Sequence, residues 1–228
     1  MAAYQKGRMS KKALVVWGGW DGHTPEASVK VFIPWLEKQG FAVEVSTTLD
    51  AYLDAEKLKG LSLIVPCWTG GKITGEQSKG LREAVAGGVG LAGWHGGIID
   101  SFREDTEYQF MTGGQWVAHP GNNIPSYEVR IADREHPITR GIKDFVLKDT
   151  EQYYIHYDPG VQVLCTSTFT GEYGDKTLYR AGTVMPFAYT REWGKGRVFV
   201  ACWGHTYKDF EVPEAREIVQ RGLLWAAK

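Results

Sequence analysis

The sequence is short of cysteine. It has three, Cys67, Cys165 and Cys202, an odd number without C-x-x-C spacing, which excludes a disulfide scaffold and a zinc knuckle. It has no apolar run long enough to cross a membrane, and residues 1–12 carry neither a hydrophobic signal core nor a cleavage site. It lacks an excess of either charge: the formal net charge is −1 and the only basic cluster is Lys11-Lys12, so neither nucleic acid nor a membrane is expected as a partner. Two enzyme signatures are missing as well. There is no G-x-S-x-G, which excludes the serine-hydrolase elbow. Gly18-Gly19-Trp20-Asp21-Gly22 lacks G-x-G-x-x-G spacing, and Asp21 is a poor neighbour for a pyrophosphate. No H-x-x-x-H or H-x-H pair announces a local metal chelate.

What is present is an ordinary globular composition with many aromatics. Hydrophobic residues make up 43% and charged residues 23%, enough to bury one sizeable core. Nine Trp and eleven Tyr suit packing and also carbohydrate clefts, because each ring joins an apolar face to a polar handle. The expectation is one cytoplasmic α/β domain over 13–228 behind a flexible extension at 1–12; a homo-oligomer is compatible with this composition.

Periodicity supplies the elements. Ala13–Trp17 is an apolar run ending at Gly18-Gly19 and reads as a buried strand. Thr24-Pro25 opens a helix with Thr24 as cap; Val29, Phe32, Ile33 and Leu36 form its stripe and Gly40 stops it. Strands follow at Phe41–Ser46, Leu61–Pro66 and Gly88–Trp94, with a helix at Glu76–Ala86. This rhythm is that of a parallel sheet covered on both faces. A helical pattern begins at Ile98. In the second half, Tyr127–Ala132, Phe145–Leu147, Val161–Ser167, Val184–Tyr189 and Arg197–Ala201 read as strands, with a hairpin turn at Gly194-Lys195-Gly196. Pro213–Ala227 is a closing helix.

Ligands of open parallel sheets bind beyond the carboxyl ends of the strands. The segments there are Gly18–Thr24, Cys67–Gly75, His95–Gly97 and Gly204–Tyr207, and three of the four carry a histidine: His23, His95 and His205. Gly93-Trp94-His95-Gly96-Gly97 has the layout of a nucleophile elbow with His95 at the strained central position. A tight strand-to-helix turn with an incidental histidine is the competing reading. His136-Pro137-Ile138-Thr139 reads as a structural turn, because Pro137 keeps His136 out of the helical region.

These motifs carry a resemblance. Gly196–Thr206 resembles the catalytic-histidine strand of class I glutamine amidotransferases, and the His95 elbow resembles their cysteine elbow. The thiol is replaced by His95, and Tyr207 stands where their glutamate would be, so glutamine hydrolysis through a thioester is not expected. The set Gly18–His23, Gly93–Gly97, Gly113–Trp116, His119–Gly121, His136–Gly141, Asp149–Tyr154 and Gly204–Thr206 is more similar to the trehalose-utilization (ThuA-like) family. The resemblance implies a mostly parallel central sheet with helices on both faces, class I glutamine amidotransferase-like (flavodoxin-like), with extra antiparallel strands in the second half. It implies an enzyme of carbohydrate metabolism, an isomerase, lyase or hydrolase acting on a sugar or keto-disaccharide such as oxidised trehalose.

On that reading His95 and His205 are acid–base groups and Glu151 orients or shares the proton. Trp20, Asp21, His23 and Trp94 join the substrate contacts through the matching motifs. Gln115 and His119 could be delivered over the pocket by the Gly113–Gly121 loop, with Trp116 as a stacking face; a surface loop with Trp116 packed inward fits equally. If Asp149–His156 is extended, Glu151 and Tyr153 share one face and Gln152, Tyr154 and His156 the other, and the resemblance makes Glu151 and Tyr153 the inward pair. No cofactor is certain. A divalent metal such as zinc would need His95, His119 and His205, with Glu151, to converge from separate loops. The alternative function is a non-catalytic sugar-binding or regulatory module.

Overall fold

A computed structural model describes residues 11–171 and 181–228. Residues 1–10 of the expected extension lie outside the described residues, whereas Lys11 and Lys12 are the exposed start of the first strand.

The order is β1 (Lys11–Gly19), α1 (Pro25–Lys38), β2 (Phe41–Ser46), α2 (Ala55–Lys59), β3 (Leu63–Thr69), α3 (Gly75–Ala86) and β4 (Gly90–Trp94). Then come α4 (Thr106–Thr112), β5 (Gly114–Ala118), β6 (Asn123–Ile131), β7 (Phe145–Glu151), β8 (Tyr154–Tyr157), β9 (Gln162–Thr168), β10 (Val184–Trp193), β11 (Gly196–Ala201) and α5 (Pro213–Ala226). Among the described residues nine strands form one sheet in the order β2-β1-β3-β4-β11-β10-β9-β6-β7. From β2 to β11 every pairing is parallel; from β11 to β7 every pairing is antiparallel. The α/β class and the added antiparallel strands are those expected from the sequence.

Local chemistry explains the elements. Ala13–Val16 is buried throughout because a central parallel strand has no solvent face. Pro25 starts α1 at the position where its missing N–H costs nothing. Thr24, expected to cap with its side chain, does not: it sits at φ +46°, and its hydroxyl accepts from the Tyr207 amide instead. Gly40 ends the helix at φ +87°. Trp193 pairs with Gly196, so Gly194-Lys195 is the two-residue hairpin turn between β10 and β11.

Two expectations fail. No helix begins at Ile98: a single 3-10 turn covers His95–Gly97, and α4 starts only at Thr106, where the Asp105 carboxylate accepts from the Tyr108 amide. The segment around Trp116 is also not a plain loop. It is β5, paired antiparallel with β8 in a separate two-stranded sheet. The three cysteines are free and buried; burial pushes the Cys67 thiol up to about 12. Among the described residues no helix is long and apolar enough to cross a membrane.

Candidate active site

The parallel strands deliver three imidazoles to one place. After β1, Gly19 lies against the Thr69 backbone, where a Cβ would come within 2.2 Å of the Thr69 carbonyl oxygen. The Trp20 amide donates to that same oxygen, and the chain turns through Asp21–His23. His23 is buried, and its Nδ1 is 2.8 Å from Thr69 Oγ1 at the end of β3. After β4, His95 takes φ +48°, the strained conformation that the glycine-rich elbow implies. Gly96 must be glycine for a spatial reason: a Cβ there would lie 2.4 Å from the His23 ring. After β11, Gly204 at φ +105° turns the chain into His205.

The antiparallel half supplies the carboxylate. Glu151, the last residue of β7, is buried, and its backbone carbonyl accepts from Tyr127 Oη at 2.7 Å. Its Oε2 lies 3.1 Å from His205 Nδ1, 3.4 Å from His95 Nε2 and 3.8 Å from His23 Nε2. Its Oε1 lies 3.6 Å from His119 Nε2. Four of the six histidines therefore surround one carboxylate. Tyr153, two residues on, stacks on His95 at 3.8 Å between ring centres. Glu151 and Tyr153 are thus the inward pair.

A buried rivet joins the halves. Asp209 Oδ2 accepts from the Gly204 amide at 2.9 Å, the His205 amide at 3.0 Å and Thr150 Oγ1 at 3.0 Å. One oxygen thereby fixes both the His205 turn and the residue before Glu151. Burial pushes the Asp209 carboxyl up, although the amides and the hydroxyl favour its charge.

Burial works to raise the Glu151 carboxyl too, but the imidazoles of His205, His23 and His95 outweigh it and hold Glu151 well below the usual carboxylate range. Burial, and then the neighbouring His23, push His95 well below the ordinary imidazole value; Glu151 pulls the other way and loses. The centre is a carboxylate beside a neutral His95. Burial, then Asp100, push the Tyr153 phenol up, which keeps it protonated.

The cluster borders a cavity of about 440 Å³. Trp20, His23, Thr69, His119, Trp116 and Tyr153 line it, with Asp100 and Arg103. Trp20 is 57% exposed and stands edge-on to His23 at 4.7 Å. Arg103 chelates Asp100 at 2.6 and 2.9 Å and lies 4.2 Å over the Trp116 ring. Trp116 lines the cavity with Arg103 over its ring and is partly buried against the core, so its position combines both sequence readings.

Three expected substrate residues fall elsewhere. Trp94 is buried in the core against Phe32 and Phe210, because the strand's alternation turns residue 94 away from the face that His95 takes. Gln115 faces a different groove, with Phe110, His156 and Tyr157, since neighbours on β5 point to opposite sides. Asp21 is exposed and does not line the cavity. His136 is structural, as read: its Nδ1 accepts from the Ile138 amide. Thr69, Asp100, Arg103 and Asp209 went unnoticed. Thr69 and its loop lie on the rim predicted from strand ends, but nothing in the sequence marks Asp209 as the partner of a turn that begins five residues earlier.

Comparison with known proteins bears on this geometry. The sequence matches the family described as ThuA, trehalose utilisation, over residues 12–226. No curated protein is similar enough in sequence to count as a match. Among solved structures, a ThuA-like protein from Bacteroides uniformis ATCC 8492 superposes with a TM-score of 0.77 at 19% identity, covering 99% of this chain and 94% of that one. A ThuA-like protein from Parabacteroides merdae ATCC 43184 gives 0.76 at 17% identity, covering 96% and 90%. A β-galactosidase from Bacillus circulans sp. alkalophilus contains a similar fold, with a TM-score of 0.59 at 15% identity, covering 91% of this chain and 31% of that one.

Proposed function

The chain belongs to the ThuA, trehalose-utilisation, family, and from that premise we propose that it is an enzyme moving protons on an oxidised sugar, such as a keto-disaccharide. The family supports a carbohydrate-related role. The observation that carries the finer reading is a buried carboxylate, Glu151, ringed by four imidazoles beside a cavity with two tryptophans.

The residues divide the work. Trp20, mostly exposed on the cavity wall, gives a pyranose ring an apolar face to lie against, and Trp116 under Arg103 adds to the wall. His119 and His23 both line the cavity and both approach Glu151, so each is placed to pass a proton between substrate and carboxylate. His95 and His205 stand around Glu151 without lining the cavity, which moves them from first contact with substrate to the inner end of the relay.

A keto group acidifies the C–H bond beside it. Loss of that proton to the relay leaves an enolate. Return of that proton to the former carbonyl carbon, with the adjacent hydroxyl proton passing to the enolate oxygen, isomerises the sugar. Alternatively the electron pair expels a glycosidic oxygen, which leaves as an alcohol after taking a proton from an imidazole.

The test is isotope exchange. A 3-keto glycoside incubated with the protein in D₂O should gain deuterium beside the carbonyl, as read by NMR or mass spectrometry. His119→Gln should slow that exchange by about 10²–10⁴-fold, the usual worth of a placed acid–base group, with little change in Tm. Binding of such sugars without exchange or turnover would defeat the enzyme reading and leave a sugar-binding module.

A further inference from the structure

We infer that His23, His95, His205 and Glu151 bind one divalent transition-metal ion beside the cavity. This goes beyond the proton-transfer reading and does not need it; with an ion bound, His119, outside the four, would carry the proton transfer.

The first argument is spacing. Each of the four residues offers one donor atom, and all four atoms lie within 4.8 Å of one another. Bonds of about 2.0–2.2 Å to a shared tetrahedral ion would set donor atoms about 3.4 Å apart. The distances from Glu151 Oε2 to the three nitrogens, 3.1, 3.4 and 3.8 Å, bracket that edge. Charge-assisted hydrogen bonds would draw the same atoms in to about 2.7–2.9 Å.

The second argument is what these atoms lack. Glu151 Oε2, His205 Nδ1 and both ring nitrogens of His95 are buried with no hydrogen-bond partner. Buried polar atoms are nearly always satisfied, and here several unsatisfied ones turn towards one point. A single ion would satisfy Oε2, His205 Nδ1 and His95 Nε2 together, and place a positive charge beside the carboxylate.

The third argument is the support behind the donors. His23 faces Glu151 with Nε2 while its other nitrogen meets Thr69 Oγ1 at 2.8 Å. An outer hydrogen bond of this kind fixes the tautomer and aim of a metal-binding imidazole. Tyr153 stacked on His95, and Asp209 holding the His205 amide, restrain the other two.

Three imidazoles and one carboxylate suit Zn²⁺, Mn²⁺ or Co²⁺ rather than Ca²⁺ or Mg²⁺. His119, a candidate ligand from sequence, stands outside the four. It approaches the other carboxylate oxygen, so it is left free to face the substrate. His23 belongs both to the cluster and to the cavity wall, so a carbonyl or hydroxyl oxygen arriving through the cavity would join the ion as a fifth ligand.

The experiment is titration of chelator-treated protein with Co²⁺ and with Zn²⁺, followed by calorimetry and by the visible d–d absorption of Co²⁺. One ion per chain is expected, with a raised Tm. Glu151→Gln and His205→Gln should each weaken binding by more than about 100-fold, beyond the ~10–100-fold typical of an outer partner, whereas Thr69→Val should cost about 10-fold. His156→Gln, in the separate groove, should change nothing. Circular dichroism establishes that each variant is folded; if His205→Gln is not, Glu151→Gln decides. Absence of saturable binding to folded wild-type protein overturns the inference, as does unchanged binding in folded Glu151→Gln. Absence of saturable binding alongside full-rate deuterium exchange into a keto sugar would overturn it while leaving the proton-transfer reading intact. Tight metal binding without any sugar exchange would do the reverse.

Discussion

The two halves of the nine-stranded sheet build the site in different ways. The parallel half brings His23, His95 and His205 to its rim by rule, each just beyond the carboxyl end of β1, β4 or β11. The antiparallel half has no such rule, since its strands alternate in direction. It contributes Glu151 through one strand end, tied across by Thr150 to Asp209. A rim for functional side chains is generic to the topology. The carboxylate that gathers the imidazoles depends on one particular contact between distant segments.

That contrast can be broken most severely at Glu151. Glu151→Gln keeps shape and removes charge, and should lower the rate of exchange or turnover by about 10³–10⁴-fold, towards the upper end for an acid–base group; a rate within tenfold of wild type would mean that the imidazoles act alone. The next effect belongs to the two tryptophans. Trp94→Ala should destabilise by about 3–5 kcal/mol as a buried-aromatic deletion, while Trp20→Ala should leave denaturant midpoints unchanged and raise KM. Equal losses of stability in urea titrations would contradict their placement.

Asp209→Ala cuts the tie between halves. Loss of buried hydrogen bonds to a charged group should cost about 1.5–3 kcal/mol in unfolding experiments and reduce kcat, because Glu151 and the His205 turn lose their common anchor. Unchanged kcat in a destabilised variant would confine Asp209 to stability. The smallest effect lies at His136, outside the site. Burial lowers its imidazole below the ordinary value, with Asp133 opposing. Its contribution to stability is therefore present above about pH 6.5, the unfolded value, and is lost as pH falls and the unfolded state takes up the proton first. His136→Asn, which can still accept from the Ile138 amide, should flatten the acid side of a Tm–pH curve. An unaltered curve would show that His136 does not contribute to it.

The same contrast explains what was legible in the sequence. Short apolar runs closed by glycines located β1, β3 and β4, and therefore the rim. Gly-x-His-Gly-Gly foretold the positive φ at His95 because few other reasons require that many glycines at a strand end. In the other half, β5 and β8 were missed as strands: each is only four or five residues long and is half-buried, so alternation is too brief to detect. Side-chain direction was the weak point. Trp94 and Gln115 are one residue from groups that line the site, and one residue along a strand is the opposite face. Asp209 was illegible because its meaning lies in three partners that the chain brings to it only on folding.

The shared oxygen of Asp209 has a mechanical consequence. With β11 belonging to both halves and the rivet buried beside it, the described residues have no crease along which they could open and shut like a clam. Adjustment of the cavity to a guest then falls to side chains on its wall. Trp20, on a short turn and mostly in solvent, is the part of the wall that can swing without disturbing the frame.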